Sequence, residues 1–160
     1  MKPIYMLLLV LHTAGLTHAQ TIKKGTMEKN KEVVRKLYEE ALNKRHLHLL
    51  QDLVSPEYTA IQGVKGPAGF ETTLNGILKG FADAHWDVQE YIAEGDKVMV
   101  RWKFQGTHTG QFAAYAPTGK AVNNDGLGIY QLKDGKVVTT QVYTDRLSFL
   151  QQLGILPKEI

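Results

Sequence analysis

The chain has 160 residues, 43% hydrophobic and 22% charged, with a formal net charge of +3. These values are typical of one globular domain and exclude a largely disordered chain, while the small, scattered positive excess argues against nucleic acid as a partner. The chain has no cysteine, which excludes disulfides, a thiol nucleophile and a cysteine-ligated zinc site.

The first 19 residues have the features of a signal peptide. Lys2 supplies a positive charge, residues 4–11 form an apolar run, and Thr17-His18-Ala19 places small residues where signal peptidase needs them. The run is too short to anchor the chain in a bilayer. We expect cleavage after Ala19 and an exported protein with no membrane association afterwards, the alternative being a buried N-terminal helix or strand. A flexible tether over residues 20–27 and a single domain over 28–156 are expected to follow.

Three helices are predicted in the first half of that domain. Residues 28–43 carry apolar side chains at i, i+4 and i+8, which predicts an amphipathic helix. A short helical pattern covers residues 47–54 and ends at Ser55-Pro56. Gly66-Pro67 opens a third helix. Its apolar stripe contains Phe70, Leu74, Ile77, Leu78 and Phe81.

After Ala84 the period of the apolar pattern changes to two, which predicts strands. They are expected at residues 86–93, 97–104, 122–132 and 137–145, with tight turns between the first pair and between the last pair. A short helix is expected over 147–156, with Gly154 as its cap and Pro157 as its stop. Helices followed by a meandering sheet predict an α+β fold, in which a strongly curved, mostly antiparallel sheet forms a cone around the helices.

His108 is the first candidate for acid/base chemistry. It lies between Gly106 and Gly110, directly after a strand. If that strand stays regular through Gly106, its parity places His108 on the face of Trp102 and Phe104, whereas a bulge at Gly106 would reverse this. Imidazole titrates near neutral pH, so this residue could exchange a proton with a substrate or donate to its carbonyl group. The alternative is a loop histidine that bonds its own backbone.

Asp145 is the second candidate. It ends the last predicted strand on the parity of Gln141 and Tyr143, where burial would raise the pKa of its carboxyl group. The alternative is an N-cap for the helix that begins at Arg146. The two roles are compatible.

A polar cluster, Asn123-Asn124-Asp125, interrupts a predicted strand, where Asn and Asp are disfavoured. Asp125 or Asn123 is expected to face the interior together with Leu127 and Ile129, the alternative being an edge-strand bulge. Arg101 is interpreted as a structural residue that pairs across the sheet. The aromatic candidates for a substrate-binding wall, which are otherwise core residues, are Tyr58, Trp86, Trp102, Phe104, Tyr130 and Tyr143.

No metal or cofactor is expected. His46, His48 and His85 lack the spacing of metal ligands, and the chain has neither a glycine-rich phosphate loop nor a Gly-x-Ser-x-Gly turn.

Short motifs along residues 82–154 resemble those of the SnoaL-like polyketide cyclases, also called ester cyclases. They are Ala82-Asp83-Ala84-His85-Trp86, Glu94-Gly95-Asp96-Lys97-Val98, Arg101-Trp102, Gly106-Thr107-His108-Thr109-Gly110, Pro117-Thr118-Gly119-Lys120, Asp134-Gly135-Lys136, Asp145-Arg146-Leu147 and Gln151-Gln152-Leu153-Gly154. The resemblance implies the cone-shaped fold of nuclear transport factor 2, a pocket for a small hydrophobic molecule and a homodimer formed through the sheet.

The resemblance also implies a role for Asp145, which matches the aspartate that acts as acid/base in the aldol closure of characterised cyclases. Pocket donors would hold the enolate oxygen, with no cofactor or metal. The chain departs from the family at Thr139-Thr140-Gln141, where many relatives have Glu-x-Trp or Glu-His-Trp. It also has Tyr130-Gln131 where the cyclases carry a histidine, so the acid/base partner is missing or replaced by His108.

Three functions are compatible with these features. The first is an exported enzyme that cyclises, isomerises or hydrates a small hydrophobic carbonyl compound, and a buried Asp145 near His108 or Tyr58 would favour it. The second is a non-catalytic binding module, favoured by an open apolar cavity together with an ion-paired Asp145. The third is a dimeric association domain whose cavity is filled by its own aromatic side chains.

Overall fold

A computed structural model describes residues 23–157. The expected signal peptide and residues 20–22 of the expected tether lie outside this range. The first helix, α1, covers residues 23–36 and continues as the π-helical turn Leu37–Asn43. It is followed by a 3₁₀ turn Leu47–Leu49, α2 (Leu50–Leu53), α3 (Gly66–Gly80), β1 (His85–Glu94), β2 (Lys97–Thr107), β3 (Ala121–Lys133), β4 (Lys136–Thr144) and α4 (Arg146–Gln152).

Helix α1 extends further towards the N-terminus than expected. Residues 23–27 are helical and not a loose tether, because a helix that has nucleated gains one backbone hydrogen bond for each residue added at its end. The exposed face carries short-range ion pairs such as Lys44–Glu40 at 2.7 Å, which contribute little to stability. The buried face contains Val34, Leu37, Tyr38, Ala41 and Leu42.

The four strands form one antiparallel sheet in the order β1-β2-β3-β4, so each strand pairs with its neighbour in the chain. β1 and β4 are the edges of this sheet, which is therefore open and not a closed barrel. Helices packed on an antiparallel sheet confirm the predicted α+β class. None of the described helices is long and apolar enough to cross a membrane.

One face of the sheet packs against the helices and the other faces outward. On β2, Val98, Val100, Trp102 and Phe104 are buried on the inner face, as their alternation predicts. Arg101 lies on the outer face, where its Nε is 3.6 Å from Oε2 of Glu90 on β1, so the predicted cross-sheet ion pair is confirmed.

Helix α4 lies against the open end of the sheet next to β3. Asp145 caps it, since its Oδ1 accepts the Ser148 N–H at 2.9 Å. Gln152 bonds both backbone groups of Asn123, at 2.8 Å and 3.0 Å. Gly154 follows the helix with φ +70°, a conformation that favours glycine at a helix C-terminus.

Candidate functional site

A cavity of about 210 Å³ lies between the helices and the inner face of the sheet. Its wall is mainly aromatic and aliphatic. Val142 lines it and is 56% exposed, and Arg146 lines it and is also exposed, so the cavity opens to solvent beside the end of β4. Five predicted aromatic residues line the cavity, namely Tyr58, Trp86, Trp102, Phe104 and Tyr130.

Two glycines on β3 make room for these rings. Gly126 is the cross-strand partner of Trp102, and a β-carbon there would lie 2.3 Å from the indole ring. A β-carbon on Gly128 would lie 2.8 Å from the Tyr130 ring and 3.1 Å from the Tyr38 hydroxyl. The aromatic side chains therefore occupy the space over two residues that have no side chain of their own.

A pair of buried phenols forms one polar part of the wall. The hydroxyls of Tyr38 and Tyr130 are 2.7 Å apart, and the rings meet edge to face with centroids 5.8 Å apart. Burial raises the pKa of both phenols well above the usual value, so both are protonated at neutral pH; one O–H donates to the other hydroxyl and one remains free to donate. The Trp102 indole is close enough to lower the Tyr38 pKa slightly, although its Nε1 makes no well-formed hydrogen bond to any described residue.

A second polar contact joins Tyr58 and Thr140, whose hydroxyl oxygens are 3.1 Å apart. Tyr58 also packs against Phe70 of α3, with ring centroids 5.7 Å apart. Because all three residues line the cavity, this contact connects the segment after α2, helix α3 and strand β4 around one space.

Asn124 is the polar residue of β3 that faces the cavity, whereas the sequence pattern favoured its two neighbours. It is 3% exposed and shares the inner face with Val122 and Tyr130. Asp125 points outward and is exposed, so its predicted place in the pocket is wrong, and Asn123 is also on the outer face. The sequence pattern predicts the opposite orientation because Leu127 and Ile129 are apolar. These two residues lie on the outer face of β3, whereas glycines occupy the inner face at this point.

His108 is fully buried but does not line the cavity. Its ring stacks on Phe81, with centroids 5.1 Å apart and an angle of 23° between planes, and Phe81 separates it from the cavity. Nδ1 lies 3.3 Å from the Thr118 backbone nitrogen and 3.2 Å from the Thr118 hydroxyl oxygen, while Nε2 is a buried atom without a partner among the described residues. The ring thus anchors the loop between β2 and β3.

Asp145 is exposed and serves as the helix cap described above. The expectation that it is buried is wrong, because the parity it shares with Gln141 and Tyr143 is the outer parity of β4. Tyr143 is 57% exposed and does not line the cavity either. The residues of β4 that line it are Thr140, Val142 and Thr144. The structure does not bring Asp145 and His108 together at the cavity, and their acid/base role stays a prediction.

The cavity wall is almost free of charge. Within residues 23–157 no carboxylate or imidazole lines it, and Arg146 is its only residue charged at neutral pH. No group of three histidine, aspartate or glutamate side chains in that range is arranged to hold a metal ion. The arrangement is suited to bind an apolar molecule and to donate hydrogen bonds to its oxygen atoms.

A family model described as SnoaL-like polyketide cyclase matches residues 32–153. Aklanonic acid methyl ester cyclase DnrD of Streptomyces peucetius is 25% identical over 92 residues, which are 57% of this chain. The match spans 63% of that relative, less than two thirds of its length.

Solved structures of similar proteins share the fold. A protein assigned as a SnoaL-like polyketide cyclase from Jannaschia sp. CCS1 superposes with a TM-score of 0.73 at 23% identity, over 82% of this chain and 95% of that one. IdmH of Streptomyces antibioticus, assigned as a polyketide cyclase, gives a TM-score of 0.66 at 26% identity. The superposition covers 78% of this chain and 98% of IdmH. AclR of Streptomyces galilaeus, assigned as a hydroxylase, gives a TM-score of 0.69 at 28% identity. The superposition covers 82% of this chain and 84% of AclR.

Proposed function

This chain belongs to the SnoaL-like polyketide cyclase family, and we propose that it binds a small, largely apolar carbonyl compound and performs cyclase- or isomerase-type chemistry on it. The substrate would lie in the cavity between the helices and the inner face of the sheet. The wall of tryptophan, phenylalanine and tyrosine side chains matches an apolar molecule, and the opening beside β4 gives it access.

The observation that carries this proposal is the buried Tyr38–Tyr130 pair. Cyclisation and isomerisation of a ketone pass through an enol or enolate, whose oxygen carries more negative charge than the ketone oxygen. A neutral phenol in an apolar cavity donates a stronger hydrogen bond to that oxygen than the same group in water, because competing water is excluded. Since burial raises the pKa of both phenols, neither acts as a base at neutral pH, and the O–H that is not used in the bond between them can donate to the substrate.

Proton abstraction needs a base, and the chain position of Asp145 makes it the first candidate. Both of its neighbours, Thr144 and Arg146, line the cavity. To reach a substrate, the carboxylate would exchange its bond to the Ser148 N–H for the substrate proton. His108 is less accessible, because Phe81 lies between its ring and the cavity.

Non-catalytic binding of an apolar ligand is the second candidate function. The observation that favours it is the lack of any carboxylate or imidazole on the cavity wall within residues 23–157. The open cavity argues against the third function, an association domain with a filled interior, although dimerisation itself remains compatible with the fold. We propose a homodimer through the outer face of the sheet, where Tyr143 is 57% and Ile92 is 47% exposed.

Export belongs to the same proposal. Its support is the N-terminal pattern of a positive charge, a short apolar run and small residues before Gln20. N-terminal sequencing of the protein recovered from outside the cytoplasm should begin at Gln20, and recovery of the intact N-terminus from the cytoplasm alone would contradict export.

The chain offers an intrinsic probe for the substrate, because it has two tryptophans, Trp86 and Trp102, and both line the cavity. Titration with butyrophenone, an aryl ketone with one carbonyl group, should quench their fluorescence to saturation. Proton NMR in D₂O should then show faster exchange of the hydrogens next to the carbonyl with protein than without it.

Matched variants separate binding from turnover. Tyr130→Phe should slow the exchange, while Tyr143→Phe, which removes a phenol from the outer face, should leave it unchanged. Saturable quenching without exchange would support the binding module, and an absence of saturable quenching would contradict both functions.

A further inference from the structure

Asn124 and Arg146 both line the cavity, and the pairing of β3 with β4 brings their stretches of backbone together. The last pair in the ladder between β3 and β4 is Gly126 with Thr144. One step further on each strand, Asp145 N donates to Asp125 O at 3.3 Å, so the two chains are still side by side at that point. Asn124 and Arg146 are the next residues beyond this bond on the two chains, Arg146 being the first residue of α4, and both line the cavity.

The Asn124 amide has no protein partner in the part of the chain that the structure describes. The residue is 3% exposed, and its Oδ1 is completely enclosed without a hydrogen bond. Nδ2 is not enclosed in this way, and because Asn124 lines the cavity, this atom can donate to a molecule bound there. Burial of an unpaired amide opposes folding, and native proteins rarely contain one unless a ligand, a water molecule or a functional role accounts for it.

Arg146 supplies the matching charge. Within residues 23–157 it is the only residue of the cavity wall that is charged at neutral pH, and it makes no ion pair or hydrogen bond with another residue of that range. A guanidinium group presents two parallel N–H donors, a geometry that fits a carboxylate. No acidic side chain within residues 23–157 lines the cavity to compete for it.

We propose that Asn124 and Arg146 form a carboxylate-binding site, so that the preferred ligand is an apolar molecule that ends in a free carboxylate. The carboxylate would accept from the Arg146 guanidinium and from Asn124 Nδ2. The apolar body would lie against Phe104, the cross-strand partner of Asn124 on β2, and against Trp102. This inference rests on the proposed function and specifies its substrate class, a carboxylic acid as opposed to the corresponding ester.

The test uses one pair of probes, 4-oxo-4-phenylbutanoate and its methyl ester, which share the aryl ketone and differ in charge. Both are titrated into the protein while tryptophan fluorescence is followed. The acid should bind at least about tenfold more tightly than the ester, the size expected for hydrogen bonds to a charged group. Added salt should reduce this preference, because the opening is solvated.

Variants assign the preference to the two residues. Arg146→Gln keeps the length of the side chain without its charge, and Asn124→Leu keeps the shape of the amide without its donors. Each should weaken binding of the acid and leave binding of the ester within about twofold, since only the acid uses the charge-assisted hydrogen bonds. Arg101→Gln, which removes a positive charge from the outer face of β2, is the matched control and should change neither.

The outcomes separate this inference from the proposed function. Equal binding of acid and ester, or equal weakening of both by Arg146→Gln, would overturn the carboxylate site and leave the cavity as a binding site for neutral ketones. If neither probe nor butyrophenone binds, the proposed function itself fails. Circular dichroism of each variant establishes that it is folded. If Asn124→Leu does not fold, Arg146→Lys takes its place in the test: it keeps the charge and should retain part of the preference for the acid that Arg146→Gln loses.

Discussion

The hydroxyl oxygens of Tyr38 and Tyr130 lie 2.7 Å apart although the residues are 92 positions apart in the sequence. Tyr38 belongs to the π-helical turn of α1 and Tyr130 to the inner face of β3. The contact therefore joins the N-terminal helix to the sheet inside the cavity. It satisfies two buried hydroxyl groups at once, and each is left without its partner if the other is removed.

The first prediction concerns this pair. Tyr130→Phe should lower the free energy of unfolding by about 1–3 kcal/mol, because the Tyr38 hydroxyl stays buried without a partner. The double variant Tyr38→Phe/Tyr130→Phe should lose less than the sum of the single variants, since both hydroxyls are then absent. Urea unfolding measures all three, with Tyr143→Phe as an exposed control expected within about 0.5 kcal/mol of the parent. Additive losses would contradict a direct interaction.

The second prediction is a loss of stability at alkaline pH. Burial raises the pKa of Tyr38 and Tyr130, and raises that of Tyr91 to about 12. In the unfolded chain the same phenols ionise near pH 10. Above about that pH the unfolded state therefore binds fewer protons than the folded state does. The contribution of these phenols to the free energy of unfolding is present in full below about pH 10. It is lost as the pH rises towards their pKa values in the folded state.

Urea unfolding between about pH 8 and pH 12 measures this loss. Tyr91→Phe should give a shallower decline than the parent, because one group with a raised pKa is gone. A free energy of unfolding that stays constant across this range would show that the phenols are not buried as described.

The third prediction separates the two roles of Asp145. Asp145→Ala should lower the free energy of unfolding by about 1 kcal/mol through loss of the cap on α4. Asp145→Asn keeps an N-cap acceptor and should cost only a few tenths of a kcal/mol, while it removes the ionisable group. If Asp145 is the base, Asp145→Asn abolishes the exchange of ketone hydrogens in D₂O at unchanged stability. Exchange equal to the parent would exclude it as the base.

The fourth prediction contrasts two glycines. Gly126→Ala places a methyl group 2.3 Å from the Trp102 ring, and we expect a loss of about 1–3 kcal/mol together with a shift in tryptophan emission. Gly76 lies inside α3, where a β-carbon would meet no atom within 4 Å in residues 23–157 apart from its chain neighbours and the adjacent helix backbone. Gly76→Ala should therefore stabilise the protein by about 0.5–1 kcal/mol. Thermal unfolding followed by fluorescence measures both, and an unchanged emission in Gly126→Ala would refute the contact.

Most of the fold follows from local patterns, whereas the site depends on contacts that no local pattern contains. The strands of the two tight hairpins match their predicted ranges to within a few residues, because alternation and turn residues are properties of adjacent positions. The cavity is different. Gly126 and Gly128 give the inner face of β3 no side chain at those positions, so the apolar signal comes from Leu127 on the outer face and predicts the opposite parity.

The same limit applies to Asp145 and His108. Their residue types and positions near strand ends indicated chemistry, but whether a side chain at a strand end turns inward depends on the helix or loop that follows. Asp145 turns towards α4, and the loop after His108 buries its ring behind Phe81. The N-cap alternative for Asp145 is confirmed, because capping requires only residues within one turn.

The chain order of the strands has a consequence for how the protein folds. Every strand pairs with the next one in sequence, so the sheet can form from successive hairpins without closing a large loop. The cavity cannot form from local hairpins alone, because it requires α1 to dock on β3 across most of the chain. A sheet assembled without that helix would expose its aromatic inner face to water. We therefore expect this long-range docking step, and not formation of the hairpins, to limit the rate at which the cavity forms.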